Sequence, residues 1–328
     1  METKLPWAER FRPNTLGEIV SHDHIKNTFI QYLDHNTFPH LLFYGPPGTG
    51  KTSTIKAFAR ELYKNQYDLM VLEINASEER GIDVVRSKIK DFVTTRGNFF
   101  CNSVSFFKLV ILDEADAMTN EAQAMLRRVI ETHTDNARFC LICNYRSKII
   151  DAIQSRCTMF KFPPLDAQSI TTKINDVASS QHIDIDESGI QMLIKISNGD
   201  MRKLLNIFQS IAMLEQPINY DFVAQFLGYP GKKDMENIVT ILNGNNLKKN
   251  IRKLNEYIKN NSFAVQNIIT ELTDMIYSDI MKDNVNINKI SMLVKQLSDI
   301  EINMCYSPSP PIQISTLASI YFISNYSI

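Results

Sequence analysis

The chain lacks any long apolar run: its longest, such as Leu109 to Leu112, fall far short of the roughly 20 residues a spanning helix needs. Its opening residues, Met-Glu-Thr-Lys-Leu-Pro-Trp, contain no apolar signal-peptide core. Cysteine is scarce and odd in number, five in 328 residues, which argues against a disulfide framework and suits a reducing compartment. An intracellular protein is expected. Net charge is also missing, since 35 basic side chains meet 36 acidic ones. A protein that grips nucleic acid alone is often strongly basic, so any DNA contact here must come from a local basic surface or from several copies in an assembly. The six histidines follow no ligand spacing. Cys140 and Cys143 sit three apart on a strand-like run and therefore face opposite sides, which excludes a shared zinc. No internal repeat and no low-complexity tail is present.

What remains is ordinary globular composition, 44% hydrophobic and 22% charged, in a chain long enough for two or three cores. The first half alternates short aliphatic runs with amphipathic stretches. His40 to Tyr44, Met70 to Asn75, Lys108 to Leu112 and Arg138 to Asn144 are strand-length and nearly continuous in apolar character, as in strands buried on both faces of a parallel sheet, and Thr158 to Phe162 would supply a fifth strand. Between them, Ala122, Met125, Leu126, Val129 and Ile130 share one helix face, as do Val85, Ile89 and Phe92. Strand–helix–strand repetition predicts a three-layer α/β domain over residues 1–165 with a five-stranded parallel sheet. After Pro163-Pro164 the pattern is helical only. Helices are expected over 166–182, 186–197 and 200–214, the third capped by Asp200. A turn-rich break at Gly228-Tyr229-Pro230-Gly231 separates a small helical domain, 166–230, from a second helical domain, 231–328.

Gly45-Pro46-Pro47-Gly48-Thr49-Gly50-Lys51-Thr52 fits G-x-x-x-x-G-K-[ST] in full, between a strand ending at Tyr44 and a helical stretch that continues through Ser53. Glycines let the backbone fold around an anion with its N–H groups inward, and the helix N-terminus adds positive potential. Lys51 brings a charge to the β- and γ-phosphates, and Thr52 a hydroxyl ligand for Mg²⁺. The apolar run Leu109 to Leu112 ends in Asp113 and Glu114. Acidic turns are common, but after a complete P-loop this pair places Asp113 at the Mg²⁺ shell and Glu114 where it polarises an attacking water. ATP and Mg²⁺ are the expected ligands. Asn144 closes a strand expected between the other two; it reads either as a plain strand-terminating Asn or as a neutral amide that orients the lytic water or touches the γ-phosphate, and the resemblance described next favours the second.

Leu5-Pro6-Trp7-Ala8-Glu9-Arg10-Phe11-Arg12-Pro13, the P-loop, Asn75-Ala76-Ser77, Arg80-Gly81-Ile82-Asp83, Leu112-Asp113-Glu114-Ala115-Asp116, Ser155-Arg156-Cys157 and Gly199-Asp200-Met201-Arg202 occur in that order. This set resembles the small subunits of replication factor C, most closely those called subunit 3 in yeast and subunit 5 in human. The resemblance implies a RecA-like AAA+ ATPase domain, a helical lid and an all-helical collar, in a nuclear hetero-pentameric ring with other replication factor C subunits. Such a ring opens a sliding clamp and loads it on primer–template DNA during replication and repair, with no membrane involved. It implies that Arg156 is an arginine finger reaching a neighbouring subunit's ATP site, that Arg202 senses the γ-phosphate of its own chain, and that Arg12 and Pro13 lie near the adenine. It also implies that Arg80, Arg86 and Lys90, with Thr119, Asn120 and Gln123 at the start of the next helix, track the DNA backbone without reading bases. Phe99 and Phe100 stand as a clamp patch or as core. Three other readings compete: a structural subunit that binds ATP without turnover, a small-molecule P-loop kinase, and another AAA+ motor for helicase loading or junction migration.

Overall fold

The aliphatic runs become strands because a segment with no polar face has to be covered on both sides. A computed structural model describes residues 5–35, 37–77, 82–94, 107–280, 287–306 and 309–326, with side chains except at 82–86, 279, 280, 287–289, 325 and 326. The chain divides into two units, residues 1–184 with 193–216 and residues 185–192 with 217–328.

In the first unit, α1 (Trp7–Arg10) and α2 (Asp23–His35) precede β1 (Leu41–Tyr44), α3 (Lys51–Tyr63), α4 (Tyr67–Met70) and β2 (Val71–Asn75). Then follow α5 (Ile82–Thr94), β3 (Lys108–Asp113), α6 (Asn120–His133), β4 (Ala137–Cys143), α7 (Asp151–Gln154) and β5 (Thr158–Lys161). The helices α8 (Ala167–Gln181), α9 (Glu187–Ser197) and α10 (Met201–Ala212) come next, the division into units falling within α9. The second unit continues with α11 (Tyr220–Phe226), α12 (Lys232–Leu242), α13 (Leu247–Asn260), α14 (Val265–Ile280), α15 (Ile287–Tyr306) and α16 (Pro310–Tyr326).

All five strands are parallel, in the order β2-β3-β4-β1-β5. The expected position of the Asn144 strand, between the P-loop strand and the Asp113 strand, is observed. Side chains alternate between two apolar layers: Leu41, Phe43, Cys140 and Ile142 pack with α2 and α3, whereas Leu42, Leu141 and Cys143 pack with α5 and α6. Cys140 and Cys143 thus lie on opposite faces, as their spacing requires. The one-turn and two-turn helices α1, α4, α7 and α11 were not expected, because four to seven residues are too few to register a helical period. The second unit builds its own core from Ile238, Leu254, Ile268, Leu297 and Leu317 on successive helices. Among the described residues no helix is long and apolar enough to cross a membrane.

One buried polar side chain ties the sheet together at the start of β1. His40 Nδ1 accepts the Phe139 N–H at 3.2 Å, and the ring is 7% exposed. Burial, aided by the nearby Arg138 charge, drives its pKa from 6.5 down to about 4. The folded state therefore holds this imidazole neutral where the unfolded chain would protonate it. Its contribution to stability is complete above pH 6.5 and is lost as pH falls through about 4. Thermal melts across that window should fall more steeply for the wild type than for His40→Gln; parallel curves would assign the acid sensitivity to other groups.

Candidate nucleotide-binding site

The C-terminal ends of β1, β3 and β4 converge on the loop before α3, the place where open parallel sheets bind ligands. Lys51 begins α3 and is 7% exposed. Its Nζ donates to the carbonyls of Gly45 at 2.8 Å and Pro46 at 2.7 Å, and to Asn144 Oδ1 at 3.0 Å. Burial lowers the Lys51 pKa, while the carboxylates of Asp113 and Asp116 act in the opposite sense. Neutral oxygens hold the cation without cancelling it, which leaves a positive field for an anionic ligand.

On the other side of the loop, Thr52 Oγ1 donates to Asp113 Oδ2 at 2.8 Å, and Asp113 Oδ1 accepts the Glu114 N–H at 2.9 Å. Glu114 has φ 55°, a left-handed conformation that costs a side-chain-bearing residue about 1–2 kcal/mol. Glu114 follows the strand, and its side chain is exposed and makes no hydrogen bond among the described residues. Asp116 Oδ2 accepts the N–H groups of Asn144 and Tyr145, each at 3.2 Å, and so fixes the end of β4 against the turn after β3.

The loop requires glycine at Gly45, where a Cβ would overlap the Phe162 carbonyl, and at two further places. Gly50 has φ 95°, and a Cβ there would meet nothing within 4 Å, so the backbone bends around open space. Gly48 has φ 68°, and a Cβ there would overlap the Asp200 carboxylate. Asp200 caps α10 by accepting the Lys203 N–H at 3.0 Å, and Met201 N–H donates to the Gly48 carbonyl at 3.1 Å. The start of α10 is therefore built directly on the loop.

Together these elements wall an open cleft of about 200 Å³. Of the residues expected to bind nucleotide, Pro47, Gly48, Thr49, Gly50, Lys51, Thr52 and Ser53 line it, together with Arg12 and Pro13. Asp113, Glu114, Asn144 and Arg202 line it as well. Gly45 and Pro46 stand behind the lining and hold Lys51 with their carbonyls. Other wall residues escaped sequence reasoning: Phe11, Ile19, Val20, Leu165, Met201 and Leu205 supply an apolar side, and Lys173 a cation. Ser169 Oγ donates to the Val20 carbonyl at 3.1 Å and joins α8 to that side. Ile19, Val20, Leu165, Leu205 and Lys173 belong to no motif, and Phe11 and Met201 stand inside motifs without having been singled out.

The donor set fits the expected ligands. The open backbone bend at Gly50 with buried Lys51 is an anion cradle, and a hydroxyl beside a carboxylate is the hard oxygen chemistry that Mg²⁺ prefers. Thr52 and Asp113 would hold the metal, which when bound neutralises charge on the phosphoryl oxygens.

Arg156 lies apart from the cleft lining. Its guanidinium donates to the Ala152 carbonyl at 2.6 Å and pairs with Glu131 at 2.5 Å on a half-exposed surface. Of the residues expected to touch DNA, Lys90 and Asn120 are exposed, and Thr119 caps α6 by accepting the Ala122 N–H at 3.3 Å. Gln123 corrects the expectation: it is 1% exposed, its amide donates to the carbonyls of Met118 and Lys148, and its oxygen accepts the Ile150 N–H. A side chain so fully used by the backbone joins α6 to two loops and has nothing left for a phosphate. Arg80 lies outside the described residues, as do Phe99 and Phe100, and the Arg86 side chain is likewise outside them.

Comparison with known proteins agrees with this architecture. Residues 41–165 match the model of the ATPase family associated with various cellular activities, and residues 230–319 match the replication factor C C-terminal domain. Replication factor C subunit 3 of Oryza sativa subsp. japonica is 43% identical over 316 residues, covering 96% of this chain and 86% of the rice protein. The human replication factor C subunit 5 is 42% identical over 321 residues, covering 98% and 92%. The chain belongs to the replication factor C small-subunit family. Among solved structures, the Thermotoga maritima RuvB Holliday junction branch migration motor aligns with TM-score 0.54 at 17% identity, over 80% of this chain and 91% of that one, a likeness of fold alone.

The contact between Gly48 and Asp200 can be tested directly. Gly48→Ala should weaken binding of a fluorescent ATP analogue at least about tenfold, since it strains a left-handed backbone and pushes Asp200 away. Adding Asp200→Ser should recover part of the loss; unchanged affinity in the single variant would mean that the loop tolerates a side chain there.

Proposed function

We propose that this chain is an ATP-hydrolysing subunit of a clamp loader, assembled with other replication factor C subunits into a hetero-pentameric ring in the nucleus. The ring opens a sliding clamp and places it on primer–template DNA in replication and repair. The observation that carries this reading is the division of the hydrolytic groups. Lys51, Asp113, Glu114, Asn144 and Arg202 line one cleft, while Arg156 of the Ser-Arg-Cys motif lies outside that lining, half-exposed and paired with Glu131, which supports a role toward another subunit's nucleotide.

In this mechanism Lys51 holds the β- and γ-phosphates and Asn144 keeps both the Lys51 ammonium and the lytic water oriented. Glu114 accepts a proton from that water as its oxygen attacks the γ-phosphorus; the bond to the bridging oxygen breaks and ADP leaves. Arg202 answers the γ-phosphate from the start of α10, so that loss of phosphate is felt by the helical segment. The Arg156 guanidinium spreads over the transferring phosphoryl group of the adjoining site, a role worth about 10³–10⁵ in rate. DNA is held by Lys90 and the N-terminal ends of α5 and α6, including Thr119 and Asn120, through backbone phosphates.

The assembled complex tests the proposal. Glu114→Gln should retain ATP binding and lower turnover at this site by about 10²–10⁴. Arg156→Ala should leave nucleotide affinity of its own cleft unchanged yet lower hydrolysis next door by at least about 10³. Unaltered turnover in Glu114→Gln would make the chain a structural ATP binder, and normal hydrolysis in Arg156→Ala would remove the shared site. Failure of the sliding clamp to co-purify with the ATP-bound complex would redirect the chain to another AAA+ task.

A further inference from the structure

Helix α13 is the most one-sided surface in the second unit. Its inner face buries Asn250, Leu254 and Ile258, while Lys248, Lys249, Arg252, Lys253 and Lys259 are all exposed and a single acid, Glu256, stands among them. Among the described residues none of these five cations makes an ion pair, although basic residues elsewhere do: Arg12 pairs with Glu9, Lys56 with Glu73 and Arg156 with Glu131. Lys248 and Arg252, and beside them Lys249 and Lys253, are like charges one helical turn apart, an arrangement that weakens a helix. The next helix adds to it. Asp234 of α12 accepts the Tyr257 hydroxyl of α13 at 2.7 Å, which brings exposed Lys232 and Lys233 alongside.

In a chain with net charge −1, such a concentration is not explained by solubility, and it opposes folding. We propose that the outer face of α13 is a docking surface for the phosphate backbone of duplex nucleic acid, separate from the nucleotide cleft and from the α5 and α6 ends. The cations in each of the two rows are spaced about 6 Å apart along the axis, suited to successive phosphates. Stacking on unpaired bases needs exposed aromatic rings, and this face has none: Tyr257 is half-buried and tied through its hydroxyl to Asp234. Recognition is therefore of a double-stranded backbone, independent of sequence. It does not depend on the clamp-loader reading.

The test is fluorescence anisotropy of the full-length chain with a short mixed-sequence DNA duplex, over a series of salt concentrations. Replacing Lys248, Lys249, Arg252 and Lys253 by Gln should weaken binding at least about tenfold and reduce the slope of log affinity against log salt by about 3–4. The same variant should melt at an equal or higher temperature, because repulsion is relieved. Lys64→Gln with Lys161→Gln, two exposed cations of the other unit, should change affinity less than about twofold. Unchanged affinity and slope in the fourfold variant overturn the proposal, as does a lower melting temperature accompanying the loss. Preference for oligo-dT over duplex, or capture of poly-glutamate or phosphatidylserine vesicles in place of duplex through the same four residues, overturns it equally.

Discussion

A buried ammonium group organises the first unit. Lys51 enters a place where water is largely excluded, and a charge there is tolerable only if oxygens surround it. Two of its acceptors are carbonyls of the loop it begins, and the third is the amide at the end of β4. For those three to meet, β4 has to lie next to β1 in the sheet, and the loop has to turn back on itself through left-handed glycines. The order of the strands, the glycine content of the loop and the neutrality of Asn144 are thus parts of one electrostatic requirement. An aspartate in place of that amide would pair with the ammonium and compete with any phosphate.

The phosphate-loop half of the cleft was legible in the sequence because its groups are contiguous. The P-loop and the Asp113-Glu114 pair are each a run of a few residues at the end of a strand, and their geometry is local. The opposite wall was not legible, for a physical reason. Val20, Leu165, Met201 and Leu205 are apolar residues drawn from two connections and from α10, identical in kind to the residues of the cores, and only the tertiary fold gathers them. Gln123 shows the converse error. A glutamine in the first turn of an amphipathic helix reads as surface, but its amide happens to match three backbone groups in loops that arrive from residues 118 and 148–150.

Arg156 illustrates a third situation. Its motif marks it in the sequence, yet its partner Glu131 lies on α6, and the pair forms because α6 packs against α7, which Arg156 follows. An ion pair on a half-exposed surface contributes little to stability, at most about 1 kcal/mol. It can keep a long side chain in place without holding it against a stronger competitor. The α13 cations differ in having no such partner among the described residues, which is why the same residue type supports two different conclusions in the two units.

The single tryptophan of the chain gives the cleft an optical reporter. Trp7 packs edge-on against Phe208 at 5.4 Å, and its backbone N–H donates to Gln209 at 2.9 Å, so it rides on α10. The first residue of that same helix is bonded to the Gly48 carbonyl. Any rearrangement of the phosphate loop that shifts α10 alters the surroundings of one indole, and intrinsic emission from the unlabelled protein registers it without background from a second fluorophore of that kind.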